Sequence, residues 1–308
     1  MNAPLETNVE LICPVCGNKQ WESYLNLGKY GVVKCRTCGL GQTYPFPSDH
    51  QQSEVNLNVY SLEKRLQAYN IRFNELLKRY QKQLIEIEKY RTPATKNLLD
   101  IGCSLGFFLV AARKMGFATY GVELSKETAD YARTQQNLEI FCGTLEQANY
   151  SEGQFDVITL WDVLEHVPDL HNLLTEIHRI LCNKGLLVIQ SPNMDSLMAE
   201  IGREYWNWWL LPDHLYHFTP DTLESLLRNH GFIISATYTW EPSLDFLMNW
   251  FISKLHTRSD DITLKSRLLR KIAWLISNTL WPLVVPIQQR AWRQNRGALV
   301  TVYASKAG

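Results

Sequence analysis

The stretch LLDIGCSLGFFLVAARKMG, residues 98–116, decides the fold. An apolar run ends in an acid, Asp100, and Gly102 and Gly106 follow before an amphipathic segment. This reads as a strand, a tight glycine turn and a helix, the layout of a nucleotide site. The same alternation continues: strands are expected at 118–124, 139–143, 155–161 and 185–192, with helices at 106–115, 126–135 and 170–181 between them. A further helix over 221–230 leads to a sixth strand at 232–240, and a seventh is expected at 297–305. Strands alternating with helices predict an α/β fold, a doubly wound, mostly parallel sheet of seven strands. In such a sheet the ligand lies beyond the carboxyl ends of the strands.

The formal net charge is zero, so bulk electrostatics name no partner. The opening residues MNAPLETNVELI carry no basic stretch followed by an apolar core, which points to a cytoplasmic protein. Of the seven cysteines, four form two C-x-x-C pairs, while Cys103, Cys142 and Cys182 are scattered. Without an export signal this pattern favours thiols and a metal over disulfides.

CPVCG (13–17) and CRTCG (35–39) are separated by eighteen residues between Cys16 and Cys35. Four thiolates at this spacing, Cys13, Cys16, Cys35 and Cys38, suit a tetrahedral structural Zn²⁺ site with no open position. Two short strand-like pieces with a turn at Gly28–Gly31 complete a zinc ribbon over residues 1–48. It is too small to fold on its apolar residues, so the metal is expected to supply its folding energy. Its only basic residues are Lys19, Lys29, Lys34 and Arg36, which favours a structural or substrate-docking role over nucleic-acid binding. TYPFPSD (43–49) reads as an extended linker. Residues 60–90 carry apolar positions at helical spacing and predict a long amphipathic helix, ended by Thr92-Pro93. Residues 49–93 are thus a linker and capping helix, from which Tyr60 or Tyr69 either enters the site or packs in the core.

The ligand can be narrowed by elimination. A phosphate loop would need G-x-x-x-x-G-K-[ST], and no such lysine follows Gly106. A dinucleotide fingerprint would need G-x-G-x-x-G, and the text here is G-C-S-L-G. S-adenosylmethionine has a cationic sulfonium and ammonium and no phosphate, so it wants a close backbone turn with acids nearby. Asp100, Gly102 and Gly106 supply the turn, and Glu123, at the end of the next strand, can accept both ribose hydroxyls.

DIGCSLGFF, VELS and FDVITLWDVLEHVPD resemble the class I S-adenosylmethionine-dependent methyltransferases, Rossmann-like enzymes. C-x-x-C-G-L (35–40) and P-x-P (45–47) resemble the branch of that family that carries an N-terminal zinc ribbon. The resemblance covers about residues 11–242 and 297–305, with the methyltransferase domain over 94–308. It implies that Asp100, Gly102, Cys103 and Gly106 hold the methionine part and that Glu123 binds ribose. Thr144 takes the position near adenine, which then rests on Leu145 amides and on Leu124. Asp162 closes the cofactor set.

WDVLEHVPD (161–169) leaves the fourth strand with Asp162, Glu165 and His166 at i, i+3 and i+4. On a helical turn these would face one way. Three readings stay open: His166 or Glu165 as general base or orienting group, a second divalent metal on Asp162, Glu165, His166 and a later histidine, or a purely structural turn. The metal pattern resembles that of ubiquinone O-methyltransferases and small-RNA 3′-end methyltransferases. WWLLPDHLYHFTP (208–220) adds His214 and His217 among aromatics, facing the substrate or packed in the core. Between strands 6 and 7 an insertion at about 243–296 is rich in Lys, Arg and Trp. It reads either as a peripheral membrane contact or as a helical lid or dimer surface.

These readings converge on a methyltransferase acting by in-line transfer, with base candidates His166, His217 and His214. Its expected partner is a small-molecule or lipid-linked glycan acceptor. A nucleotide- or lipid-linked sugar in polysaccharide or natural-product biosynthesis is the leading expectation, since the zinc-ribbon branch resembles the deoxysugar C-methyltransferases. Nucleic-acid and quinone acceptors are the alternatives.

Overall fold

The computed structural model describes residues 11–48, 62–90, 96–240 and 285–306, without the side chains of 71–75. Tyr60 and the insertion through residue 284 lie outside the described residues. The chain forms two compact units: Met1–Phe46, Ser191–Leu223 and Thr237–Thr301 make one, and Pro47–Gln190, Glu224–Ala236 and Val302–Gly308 the other.

The second unit carries most of the βα repeats. Strand β4 (Asn97–Ile101) is followed by helix α2 (Phe107–Lys114), β5 (Ala118–Glu123) by α3 (Lys126–Gln136), and β6 (Glu139–Cys142) by the single turn α4 (Leu145–Ala148). Then come β7 (Phe155–Trp161), α5 (Leu170–Ile180), β8 (Leu181–Pro192), α6 (Leu197–Gly202), α7 (Pro220–Asn229), β10 (Phe232–Trp240) and β11 (Leu299–Lys306). Of these, the end of β8, α6, the start of α7, the end of β10 and the start of β11 fall in the first unit. The seven strands run in the order β10-β11-β8-β7-β4-β5-β6. β4 pairs in parallel with both β5 and β7, which puts their carboxyl ends at one sheet edge. The mostly parallel seven-stranded α/β sheet expected from the alternation is therefore present.

Helix α5 illustrates how the repeats form. Asp169 caps it by accepting a bond from the Asn172 amide at 3.0 Å. Leu170, Leu173, Leu174, Ile177 and Ile180, at helical spacing, are all buried. Each such side chain contributes about 1.5–3 kcal/mol of burial. Helix α1 (Leu62–Tyr90) follows the predicted span. Tyr69 stacks on Phe107 with ring centroids 3.5 Å apart, and Tyr80 meets Phe108 edge-on, so α1 rides on α2. Of the two tyrosine readings, the structure gives Tyr69 the packed one.

The first unit holds the cysteine ribbon. β1 (Trp21–Asn26) and β2 (Gly31–Cys35) form a hairpin around the predicted turn. A third strand, β3 (Gly41–Tyr44), pairs with β2 and takes in the first two residues of the segment read as an extended linker, while 45–48 carry neither helix nor strand. A fourth strand, β9 (Tyr216–His217), comes from far along the chain and pairs with β3. The ribbon is therefore built into its unit by a shared sheet. Where β3 meets β9 the side chains leave no room: a Cβ on Gly41 would lie 2.9 Å from both His217 Cβ and Met194 Sδ. Val32, Met194, Met198, Trp206 and Trp209 form the apolar cluster behind this contact.

Among the described residues no helix is long and apolar enough to cross a membrane. The close approach at Gly41 gives a direct test of the shared sheet. Gly41→Ala is expected to lower unfolding stability by about 1–3 kcal/mol through overpacking against His217 and Met194, measured by urea denaturation.

Candidate functional site

The four predicted metal ligands come together. Cys13 Sγ lies 3.5 Å from Cys38 Sγ and Cys16 Sγ 3.6 Å from Cys35 Sγ, and all four sulfurs fall within 4.8 Å of one another. A tetrahedron with Zn–S bonds of about 2.3 Å has S···S edges of about 3.8 Å, so the donor set fits Zn²⁺. Backbone bonds from Gly17 N to Cys13 O and from Gly39 N to Cys35 O, 2.9 Å each, curl both C-x-x-C-G loops around the sulfurs.

The second site lies at the strand tips of the βα unit. After β4 the chain turns through three left-handed residues, Gly102 (φ 70°), Ser104 (φ 51°) and Gly106 (φ 76°). Gly102 is required twice over, since a Cβ there would meet Val163 Cγ2 at 2.5 Å. The loop's amides are spent inside the protein. Gly102 N and Cys103 N both donate to Val122 O, at 2.8 and 3.1 Å, and Gly106 N donates to Cys103 O at 2.9 Å. Ser104 N donates to Glu123 Oε2 at 2.8 Å, and Ser125 N to Glu123 Oε1 at 2.9 Å. Glu123 is thus held by two amides, and two loops are tied to one carboxylate.

This bonding bears on the ligand. A phosphate site works by aiming free backbone N–H groups at the anion. Here four of the five amides from 102 to 106 point elsewhere, so the loop fits a cationic group better than a phosphate. The expected backbone role of Gly102 and Cys103 is narrowed accordingly, because their N–H groups bind β5. The Cys103 thiol is buried and lies 2.7 Å from where a Gly121 Cβ would stand, so it packs inward.

Asp100 is buried and accepts a 2.6 Å bond from the Thr159 hydroxyl. Burial pushes its carboxyl up to about 8, opposed by the Thr159 bond and reinforced by the Glu123 carboxylate. Leu124, which follows β5, is 65% exposed. Thr144 caps α4 through a reciprocal pair with Gln147, and Leu145 is buried behind it.

Asp162 follows β7 in a left-handed conformation (φ 57°). Its carboxylate accepts bonds from Gln190 Nε2 at 2.7 Å and from Arg79 at 3.4 Å. The turn after it covers only Leu164–His166, a 3₁₀ turn, so the helical i, i+3, i+4 alignment does not form. Among the described residues Asp162 stands outside the ligand group that includes Glu165 and His166, so the metal reading loses Asp162 and narrows to those two with a later histidine. Glu165 is buried and His166 half-buried in the turn.

His214 and His217 belong to the ribbon's unit. The Thr43 hydroxyl donates to His214 O at 2.5 Å and lies 3.1 Å from His217 Nε2. A hydroxyl has one proton, so His217 Nε2–H is the donor in the second bond. Burial pushes the His217 pKa down to about 3, which keeps the imidazole neutral at physiological pH. Of the two alternatives for the His-rich aromatic stretch, His217 takes the packed one, buried in strand β9.

Several polar residues of the site escaped the sequence reading. Thr159 on Asp100, Gln190 and Arg79 on Asp162, and Arg65, whose Nη1 donates to Ser104 Oγ at 2.6 Å, all come from other segments. No local motif marks them.

Residues 70–236 match the family model described as a methyltransferase domain. A ubiquinone biosynthesis O-methyltransferase of Pseudomonas aeruginosa is 34% identical over 163 residues, 47% of this chain and 69% of that protein. Its counterpart in Coxiella burnetii is 30% identical over 127 residues, 39% of this chain, which spans about half of that relative (54%). Phosphoethanolamine N-methyltransferase 2 of Haemonchus contortus, solved with S-adenosyl-L-methionine, superimposes with a TM-score of 0.56. At 17% identity, over 87% of this chain and 62% of that one, this is a likeness of fold.

The Asp100 environment sets a pH dependence. Folding raises this carboxyl from an ordinary value of about 4 to about 8. Its contribution to stability is therefore full below about pH 4 and is lost as the pH rises through about 8. Asp100→Asn, which mimics the neutral acid, is expected to melt with the wild type near pH 4 and about 10 °C above it at pH 9, by differential scanning calorimetry.

Proposed function

Because the chain belongs to the methyltransferase-domain family, we propose that it transfers a methyl group from S-adenosylmethionine to a small polar acceptor. The observation that carries the cofactor assignment is the inward bonding of the glycine-loop amides, which leaves a turn suited to a cation between two acids. S-adenosylmethionine supplies an electrophilic methyl on a positively charged sulfur. The chain's own residues then have three tasks: to hold the donor, to align the acceptor and to take up its proton.

Glu123 keeps lone pairs beyond its two amide bonds for the ribose hydroxyls. Leu124 offers an exposed apolar wall for adenine, with Thr144 and Leu145 beyond it. Arg65, anchored on Ser104, brings a positive charge to the glycine loop, where the donor's carboxylate belongs. Asp162, fixed by Gln190 and Arg79, closes the tip of β7. The parallel pairing of Ile101 with Leu160 sends the glycine loop and the 164–166 turn off the same edge. This supports His166 as the first candidate for the acceptor's proton, with Glu165 as its neighbour. His214 and His217 rank below it, since His217 is neutral, buried and bonded to Thr43.

For the acceptor, the leading reading is a nucleotide- or lipid-linked sugar in glycan or natural-product biosynthesis. A second reading, a phenolic hydroxyl of a quinone precursor, is favoured by the names of the Pseudomonas and Coxiella relatives. A nucleic-acid acceptor finds little support in a ribbon with so few basic residues. In either of the first two readings Zn²⁺ on Cys13, Cys16, Cys35 and Cys38 serves structure.

The test is transfer of a tritiated methyl group from S-adenosylmethionine to sugar nucleotides, lipid-linked glycans, demethylated quinone precursors and RNA. Label is expected in one of the first three classes, with Glu123→Ala raising the Kd for the donor about tenfold or more. Donor binding without label in any class, or binding unchanged by Glu123→Ala, would overturn the reading.

A further inference from the structure

The ribbon's unit contains a cleft of about 460 Å³ to which no role has been given, within the range of small-molecule sites. Its walls come from four separate segments: Tyr24 on β1, the turn after β8 at Asp195, the start of α7 at Asp221, and the turn before β11 at 294–296. Two of these walls are stitched together by a fully buried side chain. Asn193 Nδ2 donates to Asn295 O and Gly297 O, at 3.1 and 2.8 Å, and its backbone N donates to Ala298 O at 2.8 Å. Leu197 N adds a 2.9 Å bond to Arg296 O. The cleft is therefore preorganised.

Its chemistry is mixed. The Tyr24 ring is held edge-on by Trp209 at 6.1 Å, carries the Lys34 ammonium over one face at 5.6 Å from its centroid, and is 43% exposed, which leaves its other face to a ligand. Burial, Asp195 and Glu200 together raise its hydroxyl pKa, so that it remains a donor. Glu200 is neutralised by its ion pair with Arg296. Asp221 sits in the first turn of α7, where the helix dipole offsets part of its charge. Asp195 is exposed at the mouth. The two carboxylates without an ion pair would repel a phosphate or a carboxylate. A simple cation would leave the donors of Arg296, Gln294 and Asn295 unused. An uncharged ring bearing several hydroxyls uses both sets and offers a C–H face to the tyrosine.

We propose that this cleft binds an uncharged, hydroxylated ring of the pyranose type, with Tyr24 as the stacking platform and Asp195 as the hydroxyl acceptor. The inference deepens the sugar reading of the acceptor and rests on it for the choice of ligand class. Its test is independent of methyl transfer.

The probe is an array of immobilised neutral mono- and oligosaccharides, overlaid with the labelled full chain. Retention is expected on a subset of spots, falling at least tenfold for Tyr24→Ala and for Asp195→Ala, with both variants melting within about 2 °C of the wild type. Asp195→Ala alters an exposed side chain, so it keeps the test decisive if Tyr24→Ala unfolds. No retention on any spot, retention equal in the variants, or full displacement by millimolar spermidine would overturn the proposal. The last result would mark a cation site. Failure here with methyl label still entering a sugar class would sink only the cleft, whereas failure of donor binding would sink the reading of the reaction.

Discussion

One carboxylate organises the strand-tip site. Glu123 accepts the amide of Ser104 from the loop after β4 and the amide of Ser125 from the loop after β5. Charge-assisted bonds of this kind are about twice as strong as neutral ones. Together with the Val122 carbonyl, which takes two further loop amides, they turn the glycine loop's donors into the protein. What is left facing a ligand is a close-approach turn flanked by acids. The same bonds that stabilise the loop thus select against a phosphate, which needs free amides.

The acids are not equivalent. Asp100 is enclosed and carries a carboxyl raised to about 8, and Thr159 gives it a fixed orientation. Glu123 has amides for partners. Asp162 has an arginine and an amide side chain. Three carboxyls at neighbouring strand tips would repel one another if all were bare. Burial of one and pairing of the others lets them share the edge.

The glycine loop and the strand-tip acids were legible because they are contiguous: Asp100, Gly102 and Gly106 lie within seven residues, and Glu123 ends the next predicted strand. The cysteine pairs were legible for the same reason. The supporting polar groups were not. Arg65 and Arg79 sit on a helix whose pattern only says that one face is apolar, and Thr159 and Gln190 lie inside apolar strands. The histidine stretch left two alternatives open for a different cause. An aromatic and histidine cluster looks alike whether it faces a ligand or a core, and a two-residue strand such as β9 leaves no periodicity to read. Asp162 was grouped with Glu165 and His166 by helical spacing, and the left-handed turn at Asp162 broke that register.

The ribbon's place follows from β9. A strand shared between residues 41–44 and 216–217, sealed by Gly41 and bridged by Thr43, makes the cysteine cluster part of a larger sheet. The charge that the glycine loop accepts decides what binds at the strand tips. Isothermal titration calorimetry of the full chain with S-adenosylmethionine, NAD⁺ and ATP tests it most directly. One equivalent of S-adenosylmethionine should bind with no detectable heat from either phosphorylated nucleotide at millimolar concentration. Saturable binding of NAD⁺ or ATP, or none of S-adenosylmethionine, would contradict it.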